Sequence, residues 1–144
     1  MAKKFKFRLA QVLQFRNLAR DEKKRILADK NRSLRSAEDR LQELETACAN
    51  CQSTEGLQAN STFEIESLFL LRIIDEIEKQ KVVIEDLVTE VNLARQDYLE
   101  VHKEVEMLEK LKERQQTEYH DHINQEEAKF LDELAVQRAN KTQG

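Results

Sequence analysis

Between Leu70 and Leu108, alternate steps of three and four residues land on Leu70, Ile73, Ile77, Gln80, Ile84, Leu87, Val91, Ala94, Tyr98, Val101, Val105 and Leu108. Eleven of these twelve positions are apolar, and Gln80 alone departs. A 3.5-residue period keeps one stripe of a helix against a partner helix and winds the pair into a left-handed supercoil. The intervening positions are mostly charged, so the stripe is narrow. It suits a single partner helix rather than a thick core.

The partner is expected within the same chain. A first helix is predicted over about residues 3–54, with an early seam of Phe5, Leu9, Val12, Arg16, Ala19, Lys23, Ile26 and Lys30. A four-residue skip, or stutter, then leads to Leu34, Ala37, Leu41, Leu44, Cys48 and Cys51. Basic residues on that early seam either snorkel to water or meet a further partner. Periodicity collapses over Cys51–Thr62, which holds Gly56, and Ser61 with Glu64 fits a capping box. A turn is therefore predicted at about 55–61 and a second helix at about 62–139. The predicted fold is all-α: one long antiparallel two-helix coiled-coil hairpin spanning 1–144, its second helix longer than its first. In this register facing residue numbers total about 118, which sets Leu41 opposite Ile77, Leu34 opposite Ile84 and Leu13 opposite Val105. Beyond about residue 115 the second helix outruns the first, and its seam decays to Gln115, Tyr119, His122 and Glu126.

Composition agrees with an extended helical protein: 36% charged residues, no Pro and two Gly in 144 residues leave little to stop a helix. No run approaches the ~18 apolar residues of a membrane span. The start has basic residues without an apolar stretch behind them, so a secretory signal is not expected and the protein is read as cytoplasmic. The net charge of −4 hides an asymmetry, since residues 1–35 hold 12 basic and three acidic residues. That basic third lacks the interleaved aromatics or base-reading motifs of a nucleic-acid module, and no nucleic-acid partner is expected.

Little in the chain points to chemistry. Cys48-Ala-Asn-Cys51 is a lone CxxC whose cysteines fall on seam positions, where Cys serves as a small hydrophobe. His120 and His122 lie far along the second helix and cannot converge with it. One internal glycine allows no phosphate loop. A two-helix hairpin has no interior in which to desolvate a catalytic pocket. Neither enzyme activity, metal nor cofactor is expected.

Two apolar surpluses are more informative. In Leu68-Phe-Leu-Leu-Arg-Ile-Ile74 six of seven residues are apolar, whereas a two-helix seam uses ~2 per heptad. Leu68, Phe69, Leu71 and Ile74 exceed what one helix can cover, so they either meet a further partner or pack on the turn. Phe130, Leu131, Leu134 and Ala135 form a second patch near Phe5, Phe7 and the basic start.

The opening Phe5-Lys-Phe-Arg-Leu9 with Val12-Leu13 and Arg16, the stretch Leu108-Glu-Lys-Leu-Lys-Glu-Arg-Gln115, and Asp132-Glu-Leu-Ala135 together resemble the flagellar export protein FliJ family over nearly the whole chain. Virulence type III stalk proteins share this architecture. The resemblance implies a component similar to the central stalk of rotary ATPases, binding the hexameric flagellar export ATPase and an export-gate membrane protein. Export chaperones are a further implied partner class, and the implied location is peripheral, at the cytoplasmic face of the inner membrane. A gate-binding stripe carried over by position falls on Phe69, Ile73, Glu76 and Gln80, and on Arg40, Leu44, Ala47 and Cys51. Glu76, Ala47 and Cys51 depart from its expected apolar character. The open end, over residues 3–26 and 115–137, is the expected ring-binding plug. Its candidate residues are Phe5, Phe7, Leu9, Val12, Leu13, Arg16, Phe130, Leu131 and Leu134. An escort chaperone that holds export substrates on the apolar residues at 68–74 is the alternative.

Overall fold

The computed structural model describes residues 4–54 and 60–143, and side chains over 4–52 and 64–142. Residues 55–59 of the expected turn, and the Ser61 side chain of the expected capping box, lie outside the described residues. Two helices make the fold, α1 (Ala10–Thr54, 45 residues) and α2 (Asn60–Gln143, 84 residues). The protein is an all-α hairpin in which α1 packs antiparallel against the longer α2. The chain divides into two compact units, Met1–Arg20 with Val101–Gly144, and Asp21–Glu100.

In the first unit the predicted helix start near residue 3 is replaced by a non-helical strap over 4–9. The alternation Phe5-Lys6-Phe7-Arg8-Leu9 explains the difference. A helix would turn Phe5 and Phe7 to nearly opposite sides, whereas an extended chain brings both to one side and the cations to the other. Phe7 is buried, Phe5 and Leu9 are half-buried, and Lys4, Lys6 and Arg8 are exposed. The core of this unit is Phe7, Leu13 and Val105, with Phe5, Leu9, Leu108 and Leu111 packed around them. Two backbone bonds start the helix, Ala10 N–H to the Phe7 carbonyl (3.1 Å) and Leu13 N–H to the Leu9 carbonyl (2.9 Å). Leu13 meets Val105 as the register requires, but it displaces Val12 from the seam: Val12 is exposed and Leu13 is buried.

The second unit carries an unbroken seam. On α1 the positions Lys23, Leu27, Lys30, Leu34, Ala37, Leu41, Leu44, Cys48 and Cys51 are all buried or half-buried, in alternate steps of four and three. The expected stutter is absent, because Leu27 holds the register; Ile26 beside it is half-buried as well. Facing them on α2, Ile73, Val91 and Ala94 are buried. The departure at Gln80 is resolved by a hydrogen bond: its Nε2 donates to the Ala37 carbonyl at 2.9 Å. Ala37 is small enough to let the amide approach, and a polar group satisfied in a seam fixes register.

Candidate functional site

In the first unit the strap and the α1 start bring Phe5, Phe7, Leu9 and Leu13 together, but as core rather than as free surface. Phe5 also stacks at a tilt on Tyr119, with ring centroids 5.6 Å apart. The strap thus covers part of the stretch of α2 expected to run unpartnered beyond residue 115. Gln115, Tyr119 and Ile123 are half-buried, Ile123 taking the place expected of His122, and every residue from Asn124 to Thr142 is exposed. Arg16 does not await an outside partner: its Nη1 lies 2.9 Å from Glu104 Oε2 on α2. What remains open is Val12 on α1, together with Phe130 (62% exposed), Leu131 and Leu134 on the far part of α2.

In the second unit the expected gate stripe separates into two layers. Ile73 and Leu44 are buried between the helices, and Gln80 is committed to Ala37. Ala47 and Cys51 are half-buried. Phe69 points outward, 52% exposed, among the exposed Ile65, Leu68 and Leu71. Arg40 lies at the surface beside Glu43 (3.4 Å), and Glu76 is half-buried beside Arg72 (3.6 Å). Lys30, a basic seam residue, reaches Glu90 Oε2 at 3.1 Å. Its partner on α2 answers how the early seam tolerates a cation, and such half-exposed pairs are worth at most about 1 kcal/mol.

The model of the flagellar FliJ protein family matches residues 5–144. This chain belongs to the FliJ family. It is accordingly a component of the flagellar protein-export apparatus. No curated protein and no solved structure matches it. The family match begins at Phe5, the first aromatic residue of the strap, and so includes the strap as well as both helices.

Two exposed groups of this FliJ-family chain escape a seam-based reading. Phe15 and Leu18 are 66% and 63% exposed, and with Val12 they follow at three-residue steps along one flank of α1. Ile65 extends the outward cluster around Phe69. Both groups are visible in the sequence as apolar residues off the stripe; counting only seam positions hides them.

Nothing among the described residues gathers into a group of three or more His, Cys, Asp or Glu that could hold a metal ion. Cys48 and Cys51 are both half-buried. His102 and His122 each sit 3.0 Å from a glutamate one turn on, Glu106 and Glu126. Glu22 accepts hydrogen bonds from Arg25, and that bond, with the attraction of the guanidinium, holds its carboxyl below the usual range and raises the arginine. Among the described residues an open groove runs along Asp39, Gln42, Glu43 and Thr46 of α1. No described helix is long and apolar enough to cross a membrane.

Proposed function

We infer that this FliJ-family protein is the central-stalk-like component of the export apparatus, binding the hexameric flagellar export ATPase and coupling it to the export-gate membrane protein. The observation that carries this reading is the exposure of large apolar side chains that a two-helix contact leaves uncovered. They cluster at Val12, Phe15, Leu18, Phe130 and Leu131 in one unit and at Ile65, Leu68, Phe69 and Leu71 in the other. Exposed apolar clusters of this kind mark protein contacts. The unit bearing both termini would meet the ATPase ring through its exposed α1 flank and the far part of α2, supported from below by Phe5, Phe7, Leu9 and Leu13. The outward face at Phe69, flanked by Arg40 and Glu76, would meet the gate protein, with Ile73, Leu44 and Gln80 holding the two helices in register beneath it.

The role is mechanical: the ATPase supplies the chemistry and this chain transmits its state. The location that goes with it is the cytoplasm, at the inner face of the inner membrane, as a peripheral component; export chaperones are a further partner class. An escort chaperone is the rival, favoured by the same apolar face at 65–74. Mixing with the matched ATPase separates the two. A stalk promotes ring assembly and ATP hydrolysis at substoichiometric amounts, and an escort protein leaves both unchanged. The family match is to a flagellar protein, which favours that system over a virulence one.

A further inference from the structure

Two faces of the first unit complement each other in shape and charge. On α1, Val12, Phe15 and Leu18 are 43%, 66% and 63% exposed, on one flank of the first helical turns. Residues 4–20 around them hold Lys4, Lys6, Arg8, Arg16 and Arg20 and no acidic residue. On α2, Phe130, Leu131 and Leu134 are 62%, 63% and 38% exposed. Around them stand Glu126, Glu127, Asp132 and Glu133 against the single cation Lys129. Arg8, Arg20, Glu127, Asp132 and Glu133 form no ion pair among the described residues. Each face has an apolar centre and the charge the other needs.

One chain cannot bring them together. With Leu13 against Val105, Phe15 sits level with about residue 103 of α2. Phe130 lies ~40 Å further along that helix, at ~1.5 Å per residue.

We propose that a second copy of this chain closes both faces: the far part of α2 in each protomer lies along the α1 start of its partner, reciprocally, in a twofold dimer. With Phe130 level with Phe15 of the other copy, Glu127 comes within reach of Arg8 and Glu133 within reach of Arg20. A lipid surface or a polyanion would suit the basic face but would be repelled by the α2 carboxylates, leaving Phe130 and Leu131 uncovered. Of these three, the second copy answers both faces at once. The same faces are those assigned above to the ATPase ring, so the dimer holds the protein off the ring. That consequence rests on the stalk reading; the dimer does not.

Sedimentation equilibrium of the full chain, without ATPase, tests it across protein and salt concentration. A monomer–dimer equilibrium that weakens as salt rises is expected. Phe15→Asp and Phe130→Asp should each raise the dimer dissociation constant about tenfold or more, a loss of ~1.4 kcal/mol. Both side chains are exposed, so helicity should stay unchanged. An equimolar mixture of the two variants should dimerise more tightly than either alone, because one chain keeps its α1 face and the other its α2 face. Glu127→Arg should weaken the dimer, and adding Arg8→Glu in the same chain should restore it. A monomer at every concentration would overturn the proposal. So would a dimer indifferent to both Asp variants, a mixture no tighter than its components, or a dimer abolished by Phe69→Asp instead.

Discussion

Val105 is fully enclosed, with Phe7 and Leu13 of the same unit against it. Removing its methyl groups leaves a cavity that a two-helix contact can only partly close, so Val105→Ala should cost about 2 kcal/mol. Phe15→Ala, at a position exposed in the monomer, should leave the thermal midpoint of dilute, monomeric protein within a degree or so, and circular dichroism melts of the two variants decide this. Gln80 behaves differently. Its amide is satisfied by the Ala37 carbonyl, and replacing a satisfied polar group by an apolar one of similar size is close to neutral. Gln80→Leu should therefore hold or raise the melting temperature while loosening the register. A cross-link between cysteines placed at Leu41 and Ile77 would then form in lower yield. For Glu22, whose carboxyl is held below its usual range, the stabilisation from Arg25 is fully present above the unfolded-state pKa. It fades as pH falls through the lowered one. Arg25 itself stays charged throughout that interval.

At the scale of the elements, the α2 stripe and its register were legible because little besides a coiled-coil strand sustains a period of 3.5 residues over 39 positions. Leu13 does meet Val105, whereas Lys30, expected to snorkel or to meet a further partner, instead pairs with Glu90 on the facing helix. The strap was not legible in the same way. Phe5 and Leu9 fit a helical seam as well as they fit an extended alternation. Only Phe7, off the seam in the first case and inward in the second, distinguishes them. Likewise Val12 and Leu13 are adjacent hydrophobes, and one residue of rotation decides which is core; the strap settles it by covering Leu13. The candidate site was harder still, since a residue such as Ile73 can be named for a surface and yet be buried at 4% exposure. Spacing along one helix does not say how wide a stripe its partner covers. Deleting residues 1–8 should remove Phe5 and Phe7 and cost roughly 3 kcal/mol in burial. Among the described residues truncation after Asn124 removes only exposed side chains, and at concentrations where the chain is monomeric it should leave the unfolding midpoint in urea unchanged, apart from helix fraying. A larger loss for the truncation than for the deletion would show that the far part of α2 is packed.

For the whole molecule, the division of labour proposed for the two units can be separated by two kinds of variant. Leu68→Ala with Phe69→Ala, both at exposed positions, should abolish capture by the gate membrane protein and leave helicity intact. Binding retained by that variant would move the gate contact elsewhere. The stalk role itself rests on the unit bearing the termini, and its most direct measurement is ATP hydrolysis by the matched flagellar export ATPase, titrated with the full chain and with the chain truncated after Asn124. The full chain should stimulate hydrolysis at substoichiometric amounts, less so as salt rises, while the truncated chain, equally folded, should not. Full stimulation by the truncated chain, or none by either, would contradict a stalk that engages the ring through the far part of α2.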